Sequence, residues 1–569
     1  MSSLKDLASL IMIPSLVKDG RLDTVKPLGN SIIHPDATGN NDGTDGSTPA
    51  EGNFTFSRGT NLSATRVNAS QLIEKGRENV FTYSNDFSNS AWNLKAGTFT
   101  QGVEDPNGGN TAWSWTAQNT DPYIYQQLSV SGVYTLSIYA KGVGSTIGAN
   151  FQLRNAGLTP NFTLTNEWQR FEIYNIPSNS NLGFEFGNPA VVGDVVHIFA
   201  AQLELGLVAT PYIETGATSA QAGILENTPR LDYSGGATCP SLLLEPSRTN
   251  LISQSEYFGG WTLISNGTGS DPVLDFGYIS PGGLNNAYKI TLDSGAGTAT
   301  SDESIIYLNK SGVTAGSEHT ASVYLKGAVG GEEVIVRDTA GGYKKWTLTT
   351  EWARYEYTQT ATATSYATSF GLRQGLGGVG TINSNAVVYI YGFQSELGSY
   401  PTSYIPTYGV SQTRAGEGKV LTGASNIIGQ TEGSVYFEFT RDGFAAYTQR
   451  ILTLSNGTNS NIIGFQLAAS NSITFYVINN DSLQAIITKP NATIANQKVK
   501  VAAGYAENDF VLYIDGVQVG AATSGTIPST SVVQNNRPTG GTPFIGNIYS
   551  TLLFPTRLTN AELAALTTI

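Results

Sequence analysis

The sequence has little cysteine, little histidine and little charge, and it has no long apolar run. One cysteine in 569 residues excludes an internal disulfide framework, and three histidines leave little material for a histidine metal site. Charged residues make up 13% of the chain, about half of the usual share. The formal net charge of −13 argues against a nucleic-acid or anionic-membrane surface. The run from Leu7 to Ile13 is too short to cross a bilayer, which takes about 20 apolar residues.

Glycine and aromatic residues are abundant, with 64 Gly, 28 Tyr and 23 Phe. Short windows such as 135–141 and 195–203 alternate apolar and polar residues, and turn residues recur about every ten positions. This pattern is typical of antiparallel strands packed in sandwiches. We therefore predict an all-β protein built from tandem antiparallel β-sandwiches.

Four motifs occur twice in the same order, which indicates two copies of one domain. Each copy takes roughly 140 to 160 residues, a suitable size for a jelly roll of about eight strands. We place module 1 at 79–220 and module 2 at 250–414. Trp113 and Trp115 lie two positions apart on one strand and are interpreted as core residues. The motif pairs are 79–87 with 250–258, 137–142 with 322–327, 163–168 with 347–352, and 202–206 with 394–398.

The segment 415–569 has a third pattern of strands. Asp515-Gly516 between apolar runs suits a tight hairpin turn. Thr559-Asn-Ala-Glu562 forms a capping box ahead of a short apolar helix. These signals predict a curved all-β sandwich closed by one helix.

The segment 1–50 differs from the rest of the chain. Leu4, Leu7, Leu10 and Ile11 fall at helical spacing, which predicts a short amphipathic helix before Pro14. A helix of this length is marginal alone and needs a partner. We interpret 1–50 as an anchoring segment and linker that docks on a larger assembly. The alternative is a frayed helix that caps its own domain.

Two strings resemble a known family. Pro-Arg-Leu-Asp-Tyr-Ser-Gly-Gly at 229–236 is followed by Cys-Pro-Ser-Leu-Leu-Leu-Glu-Pro-Ser-Arg-Thr-Asn-Leu at 239–251, and 394–406 with 413–414 continues the pattern. These strings resemble fibre and receptor-binding appendage proteins of bacteriophages that infect Bacteroidota, including crAss-like phages. By the same resemblance, the modules look like carbohydrate-binding jelly rolls and 415–569 is similar to laminin-G/concanavalin-like lectin domains.

One departure from that family concerns the segments beside module 1. In the family a stretch like 56–74 runs directly into the Pro-Arg-Leu-Asp-Tyr string, whereas here the whole of module 1 intervenes. Module 1 is therefore interpreted as an insertion or tandem duplication. The segment 51–78 is expected to pair with the segment 221–249 as a collar around module 2.

The resemblance implies a virion appendage, on head or tail, that adheres to host-surface polysaccharide through several weak sites. It also implies a homo-oligomer, most simply a trimer, that contacts other virion proteins through the N-terminus. Nucleic acid and membrane are not expected partners. A polysaccharide depolymerase and a purely structural capsid or tail decoration stay open as alternatives.

Catalytic chemistry is not indicated by any motif, and no enzyme activity is expected. A pair of carboxylates, which suffices for a glycosidase, leaves no sequence pattern. Glu204 and Glu396 occupy equivalent places in the two modules, either as sugar or calcium contacts or, as we favour, in hydrogen-bonded turns. No cofactor is expected, and calcium in a sandwich domain stays open.

Sugar recognition uses aromatic faces together with polar groups that bond hydroxyls. On that basis the candidate glycan-binding residues are Tyr343 among glycines, Arg373 in a Gly-rich loop, and Tyr447 after Gly443-Phe444. The single cysteine, Cys239, is interpreted as a small buried residue.

Overall fold

The computed structural model describes most of the chain, and its regular structure is almost entirely antiparallel β-strand, which confirms the predicted all-β fold. No helix in this part of the chain is long and apolar enough to cross a membrane. The described residues are 2–18, 21–26, 31–33, 54–59, 62–155, 160–176, 180–187, 189–339, 342–441, 448–493 and 495–568.

The chain begins with a single helical turn and three strands, and four very short strands follow in the segment 51–78. The elements are α1 (Ser2–Lys5), β1 (Leu10–Lys18), β2 (Arg21–Lys26), β3 (Ser31–Ile33), β4 (Thr55–Ser57), β5 (Thr65–Val67), β6 (Ile73–Lys75) and β7 (Arg77–Asn79).

Module 1 consists of ten strands in two antiparallel sheets that enclose an aromatic core containing Trp113 and Trp115, as expected. One sheet has the order β15-β12-β17-β10-β9 and the other β14-β13-β16-β11-β8. The strands are β8 (Asn93–Lys95), β9 (Gly97–Val103), β10 (Ala112–Ala117), β11 (Tyr123–Gln127), β12 (Tyr134–Val143), β13 (Asn150–Asn155), β14 (Asn161–Thr163), β15 (Gln169–Asn175), β16 (Asn181–Phe186) and β17 (Val195–Leu205).

Module 2 follows after four short connecting strands and again has ten strands. The connecting strands are β18 (Ala220–Ala222), β19 (Leu231–Asp232), β20 (Ser241–Leu244) and β21 (Arg248–Asn250). The module strands are β22 (Thr262–Asn266), β23 (Ser270–Tyr278), β24 (Ala287–Asp293), β25 (Glu303–Ser311), β26 (Glu318–Gly327), β27 (Glu333–Arg337), β28 (Lys344–Thr347), β29 (Ala353–Thr360), β30 (Ser365–Arg373) and β31 (Asn385–Leu397).

The two modules have the same topology. The sheets of module 2 run β29-β26-β31-β24-β23 and β28-β27-β30-β25-β22, which is the order of module 1 strand for strand. Side chains repeat as well: the Lys141 ammonium lies 5.1 Å from the Trp168 ring centroid and the Lys326 ammonium 5.4 Å from that of Trp352. The duplicated motifs therefore mark a duplicated jelly roll.

The C-terminal sandwich includes strands from the N-terminal segment and from both collar segments. Its first sheet runs β3-β2-β1-β43-β34-β39-β40-β41, with β20 also paired to β43, and its second runs β38-β37-β36-β35-β42-β33-β4. The turn at Asp515-Gly516 and the capping box at Thr559 and Glu562 are both present, as predicted. The elements are β32 (Gln412–Arg414), β33 (Gly418–Leu421), β34 (Glu432–Thr440), β35 (Gln449–Ser455), β36 (Ile462–Leu467), β37 (Ile473–Asn479), β38 (Ser482–Lys489), β39 (Val499–Ala506), β40 (Asp509–Ile514), β41 (Val517–Ala522), β42 (Val532–Gln534), β43 (Gly546–Phe554) and α2 (Asn560–Thr567).

The predicted N-terminal helix is wrong beyond Lys5. Leu10 and Ile11 lie in β1, which pairs with β43, so Leu10 is fully buried in the sandwich core and Ile11 packs beside α2. Leu4 is half-buried and Leu7 is 43% exposed. The strand is preferred because β43 supplies backbone partners that a one-turn helix lacks, and alternation sends successive side chains to two apolar clusters. The side chains chosen as an anchor are mostly used inside the chain.

The collar segments contact both the C-terminal sandwich and module 2. β7 pairs with β18, so the segments 51–78 and 221–249 do meet. However, β4 pairs with β33 and β20 pairs with β43, and Phe56 and Leu242 lie in the C-terminal core. The segment 51–78 also contacts module 2, because the Thr65 hydroxyl donates to the Tyr404 carbonyl over 2.6 Å and the Ile73 amide to the Pro281 carbonyl over 3.0 Å.

The two modules are in direct contact. The Tyr174 ring of module 1 lies 4.9 Å from Phe276 and 6.1 Å from Tyr257 of module 2, measured between centroids. The Val133 amide donates to the Tyr408 carbonyl over 2.9 Å. Aromatic packing and backbone hydrogen bonds of this kind hold the modules in one relative orientation.

Candidate functional site

The candidate site lies on the outer face of one sheet of module 2, where Glu303 of β25 stands opposite Arg373 of β30. On the other side of the same strands, Ile306, Phe370 and Leu372 are fully buried in the module core. Because successive side chains of a strand point to opposite faces, the side chains of Glu303 and Arg373 point away from that core.

Tyr343 and Arg373, both chosen from sequence, meet on this face. The Arg373 Nη1 donates to the Tyr343 hydroxyl over 2.9 Å. The guanidinium of Arg373 lies 5.7 Å from the Tyr343 ring centroid, and that of Arg337 lies 5.3 Å from it. Two guanidiniums thus flank one half-buried aromatic ring, a favourable cation–π arrangement.

The Arg373 side chain is held in place by two further groups. Its Nη1 lies 3.2 Å from the Glu303 carboxylate, and its Nε donates to the Thr300 carbonyl over 2.8 Å. The Asn266 amide donates to the other oxygen of Glu303 over 2.6 Å. A guanidinium fixed in this way loses little conformational entropy when it binds a ligand.

Arg337 differs from its neighbours because it lacks a carboxylate. Within the described ranges no ion pair involves Arg337, and its buried Nε has no hydrogen-bond partner. By contrast, Lys345 on the same face pairs with Glu333 over 2.8 Å. Arg337 is half-buried, so the part of its guanidinium that solvent reaches, and not the buried Nε, can donate to an oxygen of a ligand.

The centre of the face, between these polar groups, is formed by two isoleucines and a glycine. Ile305 and Ile335 flank Gly371 in the middle of the sheet and are 3% and 0% exposed. Gly371 has φ +154°, and a Cβ there would overlap the backbone of β25. A side chain is therefore excluded at the position of Gly371. Because both isoleucines are covered, the part of the face that a ligand can reach is the half-buried Tyr343 ring and the charged groups around it.

The remaining candidates do not join this face. Tyr447 lies outside the described residues. Glu204 accepts from the Thr210 amide over 2.8 Å and from its hydroxyl over 2.6 Å, and Glu396 accepts from the Thr402 amide and hydroxyl over 2.7 Å each. Both carboxylates are buried, so the favoured interpretation as hydrogen-bonded turns is confirmed.

The prediction that Cys239 is buried is wrong, because its side chain is exposed. It lies in the loop between β19 and β20, which projects beyond the sheet. His319 is buried, its Nε2 accepts from the Thr314 amide over 3.1 Å, and burial lowers its pKa. No group of three or more His, Cys, Asp or Glu side chains in the described ranges could hold a metal ion.

One close pair of carboxylates lies at the junction between module 2 and the C-terminal sandwich. Glu245 and Glu417 both contact the Arg230 guanidinium and are 5% exposed. Burial alone would raise the pKa of Glu245, but Arg414, Arg230 and hydrogen bonds from Ser403 lower it well below its usual range. A general acid of a glycosidase needs a raised pKa, so this pair does not suit that chemistry.

A cavity of about 390 Å³ opens at the same junction. Its charged walls are already engaged: Arg66 pairs with Glu74 over 2.9 Å, and Arg354 donates to the Ser322 hydroxyl over 2.8 Å. Asp232 accepts from the Val67 amide over 3.0 Å. The Nε of Arg354, like that of Arg337, has no hydrogen-bond partner in the described ranges, so the cavity is a second candidate surface for a ligand.

Sequence reasoning missed Arg337 and Glu303. Both end or begin a strand, and each lies opposite residues of another strand that are distant in the sequence. An arginine at the end of a strand is ordinarily solvated, so the residues next to Arg337 in the sequence do not mark it as a binding residue. The equivalent position in the other module would not have helped, because the two modules differ there.

One family model matches the C-terminal part of the chain. Residues 414–564 match the family model of the concanavalin A-like lectin/glucanases superfamily. No curated protein matches the chain. The match agrees with the predicted concanavalin-like sandwich and covers about a quarter of the sequence.

Several solved structures are similar to part of the chain. The CBM40 module of the Ruminococcus gnavus IT-sialidase bound to α2,3-sialyllactose is 18% identical, with 26% of this chain and 87% of that chain covered and a TM-score of 0.23. The SAP-like pentraxin of Limulus polyphemus is 15% identical over 24% and 70%, with a TM-score of 0.21. Domain 4 of a GH43 arabinanase from Geobacillus stearothermophilus, in complex with arabinotriose, is 14% identical over 27% and 73%, with a TM-score of 0.22. Similarity at this level bears on neither the ligand nor the activity of this chain.

Proposed function

We propose that the protein is a non-enzymatic adhesin that binds acidic saccharides of a cell surface through the outer face of module 2. The observation that carries the proposal is Arg337, a cation with no carboxylate partner among the described residues, beside Tyr343 and the fixed guanidinium of Arg373. A sugar ring can lie against the exposed part of the Tyr343 ring. Its carboxylate can accept hydrogen bonds from the two guanidiniums, which match a planar anion.

The setting proposed for this binding is a phage virion appendage. It is supported by the resemblance of 229–251 and 394–414 to fibre and receptor-binding proteins. On a virion, many copies of one weak site would act together and raise the avidity for host polysaccharide. Assembly as a homotrimer and attachment through residues 1–50 stay predictions. Labelling the chain on intact particles and measuring the mass of the purified protein by light scattering test them.

Arg337→Ala is expected to lower the affinity for acidic glycans by about tenfold or more. The reason is that truncation of a desolvated arginine that pairs with a carboxylate typically costs about 2 kcal/mol. The measurement is binding of the full-length protein to an array of acidic and neutral glycans, followed by calorimetry with the strongest acidic ligand. Raised salt should weaken the wild type more than the variant.

Lys344→Ala is the matched control, because it removes the same charge from the neighbouring strand. Lys344 is exposed and pairs with Val336, which points into the module core, so it lies off the proposed face. It should bind like the wild type. Equal affinities of wild type and Arg337→Ala, or shortening of the polysaccharide during incubation, would count against the proposal.

A further inference from the structure

Module 1 presents an equivalent face with different residues. Its sheet β14-β13-β16-β11-β8 corresponds to the sheet of module 2 that carries Arg337. Gly183 stands in β16 where Gly371 stands in β30, and a Cβ at Gly183 would likewise overlap the backbone of the neighbouring strand. The two faces can therefore be compared position by position, with the glycine as reference.

The residues that flank the glycine are apolar in module 2 but polar and aromatic in module 1. In module 2 the glycine lies between Ile335 and Ile305. In module 1 the same places hold Arg154 and Tyr125. Two buried isoleucines of module 2 thus correspond to a half-buried arginine and a half-buried tyrosine in module 1.

Two tyrosines dominate the module 1 face. Tyr123 and Tyr125 lie two positions apart on β11 and so point to the same side. Their ring centroids are 5.5 Å apart and the planes are tilted by 31°. Both rings are half-buried, so each keeps part of its surface open to solvent. Neighbouring rings at this spacing offer a broad, weakly polar surface to the C–H groups of a sugar ring.

The charges of this face are balanced, unlike those of module 2. Arg154 pairs with Glu185 over 3.0 Å, and Lys95 pairs with Asp121. Each of these two cations therefore has a carboxylate, in contrast to Arg337 in module 2. A charged ligand would have to displace one of these pairs, whereas a neutral ligand can bond to them as they are.

A purely structural role accounts for one tyrosine but not for the other. The Arg154 guanidinium and the Lys95 ammonium lie 4.7 Å and 4.9 Å from the Tyr123 ring centroid, a common stabilising contact on sheets. Within the described part of the chain no cation lies over Tyr125. Gly183 beside it leaves the flank of that ring uncovered.

We infer that module 1 binds a neutral saccharide on Tyr125 and Tyr123, so that the duplicated modules take ligands of different charge. The inference rests on the proposed function of the modules as saccharide binders. A pyranose ring stacks on Tyr125, while Arg154, whose side chain is 37% exposed, donates to its hydroxyls. Because Tyr174 packs against Phe276 of module 2, the two modules, and with them the two faces, keep a fixed relation.

The test is a crossed comparison of full-length variants on an array of neutral and acidic glycans. Tyr125→Ala should lower binding to neutral glycans by about tenfold or more and leave acidic binding unchanged. Tyr125→Phe should keep neutral binding within about threefold, because the ring is retained. Arg337→Ala should have the opposite pattern to Tyr125→Ala.

The outcomes separate the two claims. If the wild type binds no neutral glycan, or if Tyr125→Ala binds neutral glycans as well as the wild type, the module 1 site is overturned and acidic binding is untouched. If acidic binding is lost in Tyr125→Ala as well, the variant has disturbed the fold of both faces or the charge division is wrong. Circular dichroism and the thermal midpoint distinguish a disturbed fold from a wrong assignment of ligands. If the fold of Tyr125→Ala is unchanged, the assignment of neutral ligands to module 1 and acidic ligands to module 2 is overturned.

Discussion

Replacing Arg230 by Met lowers the free energy of unfolding by about 3 to 5 kcal/mol, the usual cost of breaking a buried ion pair from one side. All five donors of this guanidinium are used. Nε and Nη2 bind Glu417, Nη2 also lies 2.6 Å from Glu245, and Nη1 donates to the Thr65 carbonyl over 2.9 Å and to the Ser403 hydroxyl over 2.6 Å. The measurement is chemical denaturation of the full chain followed by tryptophan fluorescence.

The size of the effect follows from burial. Arg230 is fully buried and both carboxylates are 5% exposed, so the variant leaves two anions in a dry site with Arg414 and Arg58. Because the folded-state pKa of Glu245 is lowered, its stabilisation is present near neutral pH and is lost as pH falls below about 4. In the variant, the free energy of unfolding should therefore fall less steeply as the pH is lowered.

Arg66→Met is the matched control for this cluster. Arg66 pairs with Glu74 over 2.9 Å, but the two side chains are 19% and 29% exposed. A pair of this kind contributes about 1 kcal/mol or less. Equal losses in Arg66→Met and Arg230→Met would show that burial of the cluster does not matter.

Lys419→Met raises the free energy of unfolding at pH 6 by roughly 3 to 5 kcal/mol, from about 1.36 kcal/mol per pKa unit. Lys419 is 2% exposed, and its ammonium lies 3.2 Å from the Met12 sulfur and 4.2 Å from the Phe54 ring centroid. In the described ranges no carboxylate pairs with it. Burial lowers its pKa from 10.5 to about 7.

The sign of the pH dependence follows from that shift. Below pH 7 the lysine is charged in both states, and the folded protein bears the full cost of the buried ammonium. Between about pH 7 and 10.5 the unfolded chain binds one proton more than the folded chain, so the stability of the wild type rises with pH. Lys419→Met should lack this rise, and its advantage should disappear near pH 10.

Thermal midpoints measured from pH 6 to 10 test this prediction. Lys489→Met, which alters an exposed lysine on β38, is the control and should follow the wild type at every pH. Parallel profiles of the wild type and Lys419→Met would contradict a neutral buried lysine in the folded protein.

The strings at 229–251 and 394–414, which resemble phage appendage proteins, contain residues with a structural role. Arg230 and Glu245 belong to the string at 229–251, and Arg414 closes the string at 394–414. All three meet in one buried ion cluster with Glu417 that joins module 2 to the C-terminal sandwich. Their side chains hold the units together, and none of them is free to contact a receptor.

The sequence by itself determined the features that depend on local pattern. Strand alternation predicted the all-β fold, and four repeated motifs predicted two sandwiches of one topology. The turn at Asp515-Gly516 and the capping box at Thr559 form from residues within a few positions of each other. Such features are readable because the interacting groups are neighbours in the chain.

Only the tertiary structure decided which strands pair across the chain. Leu10 pairs with Leu553 and Phe56 with Lys419, so the N-terminal strand and the collar complete sheets whose other strands come from the far end of the sequence. Alternation shows that a strand has an apolar side, but it does not show which sheet covers that side. The same reason hid Arg337, whose position beside Tyr343 and Arg373 arises from the pairing of strands in one sheet.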